Sequence, residues 1–299
     1  MRIGYIGLGN MGGALAGRLL ESREITVYDK DTGLVEAFAE RGARPTDSGA
    51  EVAAASDIVF LCLPNSDLVE LVLFGDEGIA STLRAGAIIV DQTTGYPPAT
   101  REFARRLAET GIGFVDAPVS GGVTAARAGT IAIMVGAEDE TYSRVEETIT
   151  AISPKIFRAG GIGCGQVIKL ANNLLSHTQR LLSLEALALA DKNGVDPRTA
   201  HEILTAGGGS NAFLEKSFGP RMLRGDLCPG FTMGLAHKDV RLAGELARQS
   251  GVPSFYGALS RELYQLLLAE NGADSQVDTA ARAVDRWAGT AVVPAAPEE

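Results

Sequence analysis

The chain has 299 residues, 45% hydrophobic and 21% charged, which allows two globular domains with sizeable cores and excludes a disordered or fibrous polypeptide. A formal net charge of -10 argues against nucleic acid and anionic membrane surfaces as partners, while leaving room for a small carboxylate at a local positive site. Three cysteines, Cys62, Cys164 and Cys228, show no metal-like spacing, so neither a disulfide framework nor a metal centre is expected and a reducing compartment is the default. No apolar run has the length of a membrane span and the first residues do not read as a signal peptide, so the expected location is the cytoplasm.

A strand over 3–6 meets the run Gly7-Leu8-Gly9-Asn10-Met11-Gly12, and a helix is expected over 13–20. Glycines in a strand-to-helix turn have distinct duties. Gly7 permits the tight turn, Gly9 lets backbone approach a pyrophosphate, Gly12 lets the helix pack on the strand, and the helix start offers N–H groups to phosphate. A second strand, 25–28, ends on Asp29, about 20 residues beyond the first glycine, as a dinucleotide site requires. A carboxylate there accepts from the adenosine ribose and repels a 2′-phosphate, favouring NAD. Lys30 next to it keeps NADP open if it turns inward, and otherwise faces water.

Strands over 57–63, 87–90 and 113–115 alternate with helices over 35–41, 68–74 and 100–110, the pattern of a doubly wound parallel sheet. Ligands bind at the carboxyl ends of such strands, where Leu63-Pro64 and the hydroxyl of Thr94 lie, although both stretches also fit ordinary turn chemistry. Ser120, Gly121 and Gly122 follow the next strand. Their backbone N–H groups and the serine hydroxyl can converge on a substrate carboxylate, or the residues can form a plain glycine turn. A strand over 130–135 and a helix over 138–152 complete a first domain, 1–162.

Residues 163–194 read as one long interdomain helix of about 40 Å, largely buried, from the entry Gly163-Cys164-Gly165 to the stop at Gly194. Lys169 and Asn173 share one face near its start. In the first turn of a buried helix, dipole and desolvation both favour a neutral amine suited to proton transfer; the alternative is a lysine that reaches solvent or pairs with a carboxylate. Residues 195–290 read as all-helical, with Lys238-Asp239 either closing over a cleft or forming an exposed pair, and 288–299 as a frayed tail.

Four motifs in this order, Gly7 to Gly12, Asp116-Ala117-Pro118-Val119-Ser120-Gly121-Gly122, Gly165 to Asn173, and Lys238-Asp239, resemble the β-hydroxyacid dehydrogenases over nearly the whole chain. That is the family of 3-hydroxyisobutyrate dehydrogenase and tartronate semialdehyde reductase. The resemblance implies a Rossmann-like domain followed by an all-α domain, NAD or NADP as cofactor, and a homodimer or homotetramer that buries the apolar helices. It further implies Lys169 as catalytic acid/base, Ser120, Gly121, Gly122 and Asn173 as substrate contacts, and Leu63, Pro64, Thr94 and Lys238 at the cofactor. Thr93-Thr94 stands where the family often has Ser-Thr, which keeps the hydroxyl, and Leu68 lies where some members place a polar contact. The 207–224 region matches no subgroup, so the acid is not named. Rival readings are an imine reductase on the same fold, which usually replaces this lysine, a non-catalytic dinucleotide-binding module, and a structural helical scaffold.

Overall fold

The computed structural model describes residues 1–295, which form two compact units divided in the sequence between residues 169 and 170. In the first unit, strands β1 (Ile3–Ile6), β2 (Ile25–Tyr28), β3 (Arg44–Pro45), β4 (Ile58–Leu61), β5 (Ile88–Asp91), β6 (Gly113–Asp116), β7 (Val119–Ser120), β8 (Ala132–Gly136) and β9 (Ile156–Gly160) form a single sheet. Its order is β3-β2-β1-β4-β5-β6-β8-β7, with β9 paired to β8. The run from β3 to β6 is parallel, and β8 meets both β6 and β7 antiparallel. This is the expected doubly wound sheet, and its order reverses between β1 and β4, where such sheets open a crevice at the strands' carboxyl ends.

Helices α1 (Asn10–Leu20), α2 (Thr32–Glu40), α3 (Gly49–Ala55), α4 (Ser66–Phe74), α5 (Pro97–Ala108), α6 (Gly122–Arg127) and α7 (Asp139–Ile152) cover the sheet. Alternation along the strands explains how. Tyr5, Ile58, Phe60, Ile88 and Val90 enter one apolar cluster, while Ile6, Val59, Leu61 and Ile89 enter another. Successive side chains leave opposite faces, so β1, β4 and β5 as far as Val90 are apolar because both faces are covered, and a polar residue, Asp91, enters only at the last position of β5. The expected strand over 57–63 is shorter in the structure, which leaves Leu63 and Pro64 in the following loop. Sequence reading passed over β3, α3 and α6 because two to seven residues carry too little periodicity.

Helix α8, Cys164–Lys192, has 29 residues, about 43 Å at 1.5 Å per residue, and Gly194 follows it with φ +86° as its left-handed stop. The unit boundary falls inside it, between Lys169 and Leu170. The expectation of a largely buried helix is corrected for one side of it. Leu181, Leu184 and Leu187 lie in the core, but Leu175, Leu182 and Leu189 are 63%, 63% and 69% exposed. Together with exposed Ile168 they recur every seven residues, which places them along one side of the helix.

In the second unit, α9 (Pro197–Ala206), α10 (Met233–Gln249), α11 (Phe255–Asn271) and α12 (Ala280–Ala288) surround a core of Leu184, Phe218, Met222, Tyr264 and Val277. No helix among the described residues is long and apolar enough to cross a membrane. The expected frayed tail is also corrected. Val292 and Val293 are core residues, and their N–H groups donate to the Asp285 carboxylate at 2.8 and 3.3 Å. Residues 296–299 of that expectation lie outside the described residues. Asp285→Ala should therefore lower unfolding free energy by about 1–3 kcal/mol through two unpaired N–H groups, read by urea titration; an unchanged midpoint would mean the segment is not docked.

Candidate active site

At the end of β1 the chain turns on Gly7, whose φ of +96° lies in the region that favours glycine. A Cβ on Gly7 would stand 2.3 Å from the Cys62 carbonyl oxygen, and one on Gly12 would stand 2.0 Å from the Gly7 oxygen. Both positions exclude any side chain. Around Gly9 nothing lies within 4 Å of where a Cβ would be, so the mouth of the turn is open. Helix α1 starts there with no side-chain cap, leaving its first N–H groups to a ligand. Exposed Asn10 and half-buried Met11 lie in its first turn, and these residues fit a diphosphate.

Leu8 is buried and its N–H donates to Asp29 Oδ2 at 2.6 Å, while Asp29 Oδ1 accepts from Asp31 N at 2.9 Å. The acid expected at the ribose thus also braces the glycine turn. A carboxylate has about four acceptor sites, so capacity for a ribose hydroxyl remains. Lys30 is exposed.

The next strand ends are tied to each other. Leu63 N donates to Thr93 Oγ1 at 3.0 Å, and Thr93 N to Asp91 Oδ1 at 3.0 Å. Pro64 is exposed and Thr94 half-buried beside these bonds. Beyond β6, Ser120 ends β7, and Gly121 and Gly122 adopt φ of +140° and +77°, so this loop requires glycine at both positions.

Asp116, at the end of β6, is fully buried and caps α8: Gly163 N donates to Oδ1 at 2.7 Å and Gln166 N to Oδ2 at 2.9 Å. The helix can come this close because Gly165 has no side chain; a Cβ there would meet Met134 O at 2.5 Å. Lys169 is buried at 8% exposure, five residues after Cys164. It therefore sits in the second turn, not the first as expected, beyond the reach of most of the helix dipole. Burial pushes the Asp116 carboxyl up to about 6, against the opposing pull of the N–H groups of Gly163 and Gln166.

In the second unit, Asn173 Nδ2 donates to Asp239 Oδ2 at 2.6 Å, and Lys238 Nζ lies 3.1 Å from Asp239 Oδ1. The exposed pair considered for Lys238-Asp239 is overturned: Asp239 is almost wholly buried and joins Asn173 to Lys238. Composition and spacing alone mark no role for Asp239, Asp116 or Gln166. For Asp116 the signal was present, a carboxylate closing a strand just as Asp29 does. Among the described residues, no group of three or more His, Cys, Asp or Glu side chains could hold a metal ion.

Residues 2–161 match the family described as the NAD binding domain of 6-phosphogluconate dehydrogenase, and 163–284 the one described as NAD-binding of NADP-dependent 3-hydroxyisobutyrate dehydrogenase. The chain is 38% identical over 267 residues to 2-(hydroxymethyl)glutarate dehydrogenase of Eubacterium barkeri, covering 89% of this chain and 88% of that one. It is 34% identical over 281 residues to 2-hydroxy-3-oxopropionate reductase of Escherichia coli K12, covering 94% and 95%. The solved structure of Mycobacterium tuberculosis 3-hydroxyisobutyrate dehydrogenase with L-serine aligns at TM-score 0.85 and 26% identity, covering 95% and 99%.

Because Asp116 holds its proton more tightly folded than unfolded, its contribution to stability is present below pH 4 and lost as pH rises through about 6. The shift corresponds to roughly 3 kcal/mol. Asp116→Asn cannot titrate, so urea unfolding at pH 4 to 7 should show the variant gaining on the parent as pH rises. A constant difference across that range would contradict the assignment.

Proposed function

The chain belongs to the β-hydroxyacid dehydrogenase family, and on that premise we propose that its substrate is a small β-hydroxy acid of the 3-hydroxyisobutyrate kind, with Lys169 as general acid/base. It is an NAD(P)-dependent oxidoreductase acting on the CH–OH group of a hydroxy acid. The observation that carries the reading is the burial of Lys169 in a helix turn pinned by Asp116, in the same compact unit as the open glycine turn. Both named relatives, by their names, handle acids with an oxygen function on the carbon β to a carboxylate.

In this reading Ser120, Gly121 and Gly122 receive the substrate carboxylate through backbone N–H groups and the serine hydroxyl. Lys169 Nζ takes the hydroxyl proton as the carbonyl forms and returns it in the reverse direction. Asn173, one turn further along α8 and fixed by Asp239, orients the hydroxyl. The chemistry supplied by a bound dinucleotide is hydride exchange with the carbon that bears this hydroxyl. Asp29 beside the glycine turn supports NAD over NADP.

Nicotinamide reduction should be followed with NAD and NADP against 3-hydroxyisobutyrate, glycerate, serine, threonate and 4-hydroxybutyrate. Lys169→Ala should bind cofactor as the parent does and lose about 10²- to 10⁴-fold in kcat. Near-normal turnover would remove the lysine from the mechanism, and cofactor affinity without turnover on any acid would favour a binding module.

We also propose that a second copy of the chain covers the exposed stripe of α8, and with it the exposed residues Phe255, Tyr256 and Leu259 of α11, giving a homodimer. Leucines at seven-residue spacing on a long helix suit packing against another helix, which would remove these exposed side chains from water. Replacing Leu175 and Leu182 together by Glu should halve the mass in sedimentation equilibrium; a parent that already sediments as a monomer would refute the dimer.

A further inference from the structure

Gln166 has no exposed surface and lies three residues before Lys169, so the two side chains are neighbours on the helix surface. Its side-chain amide reaches across to the loop after β5. Nε2 donates to Thr93 O at 2.7 Å, and Oε1 accepts from Gly95 N at 2.9 Å. These two bonds grip the loop on either side of Thr94. The backbone N–H of the same residue is held by Asp116 Oδ2. Thr93 in turn receives Leu63 N, which extends the connection to the loop after β4. A Cβ on Gly95 would clash with Ser66 Oγ at 2.7 Å and only touch Gln166 Nε2, at 3.5 Å.

A helix start held by backbone contacts alone can rotate or slide by a fraction of a turn at little cost. Two hydrogen bonds of opposite polarity from a single planar amide fix both degrees of freedom, because each donor and acceptor has one partner at one angle. We propose that Gln166, with Asp116 behind it, is a positioning residue that sets the helix turn carrying Lys169 in register with the Thr93-Thr94-Gly95 loop. The inference rests on Lys169 being the acid/base. Proton transfer needs a heavy-atom separation near that of a hydrogen bond, and a displacement of about 1 Å costs up to about 100-fold in rate. A merely structural Gln166 would satisfy buried polar groups and affect stability, with no particular relation to Lys169.

The two roles separate in a double-mutant cycle of Gln166→Met, which keeps the volume and removes both side-chain bonds, with Lys169→Ala. Gln166→Met should lower kcat by about 10- to 100-fold while NADH affinity, from fluorescence titration, stays within about threefold. In the Lys169→Ala background the same substitution should cost less than about threefold, because a misplaced lysine and an absent one are equivalent. Amide exchange of residues 163–169 in the cofactor-free protein should speed up in Gln166→Met and not in Lys169→Ala. Losses that multiply, a Gln166→Met enzyme with parental turnover, or unchanged exchange would each overturn the proposal. Should Gln166→Met not fold, Asp116→Asn, which turns one acceptor into a donor facing an N–H, must show the same dependence on Lys169, and additive losses there would overturn it equally. Near-normal turnover of Lys169→Ala itself would instead defeat the functional reading beneath it.

Discussion

The buried carboxylate of Asp116 is the constraint on which the first unit depends. Removing a carboxylate from water is costly, and the cost is offset here in part by backbone N–H groups at a helix start, where the dipole is favourable, the remainder showing as a carboxyl pushed up to about 6. Glycines make the space. A Cβ on Gly136 would stand 2.5 Å from Asp116 Oδ1, and one on Gly165 would stand 2.8 Å from Oδ2. Strand end, helix start and carboxylate therefore determine each other's positions, and Lys169 inherits its place from all three. A lysine on a free helix end would sample many positions; this one follows a turn whose N–H groups are already committed.

The sheet shows the same economy of means. Because β1, β4 and β5 send alternate side chains to two separate clusters, the strands need apolar residues along their length, and their last positions are the first places where polar residues are tolerated. Asp29, Asp91 and Asp116 all occur at such ends or immediately past them. Each spends its carboxylate on neighbouring backbone: Asp29 on Leu8 and Asp31, Asp91 on Thr93, Asp116 on α8. The loops at this edge are consequently held by side chains of the sheet itself.

Much of this was legible in the sequence, for reasons that can be named. The glycine turn was readable because Gly7, Gly9 and Gly12 sit between an apolar strand and a helix, and steric exclusion leaves no alternative residue at two of them. The doubly wound architecture followed from alternating strands and helices, though not the order of the strands. What escaped were features set by individual pairings. The pairing of Asn173 with Asp239 spans 66 positions. The docking of Val292 and Val293 is local, seven and eight positions from Asp285, but it depends on a carboxylate presenting two oxygens to their N–H groups, which no periodicity signals. Nor does helical periodicity distinguish leucines that meet the chain's own core from those left on the outside. In α8 both kinds occur, and only the three-dimensional neighbours of Leu181 and Leu182 tell them apart.

The close packing of Gly12 against the Gly7 carbonyl has one further consequence. A turn with no room for a methyl group at Gly7 or Gly12 has little conformational latitude there, so a diphosphate bound at this turn would meet backbone already in place. The entropy lost on association then falls on the incoming molecule and its solvent, with little contribution from the polypeptide, which is the thermodynamic advantage of a rigid receptor over one that must be moulded by its guest.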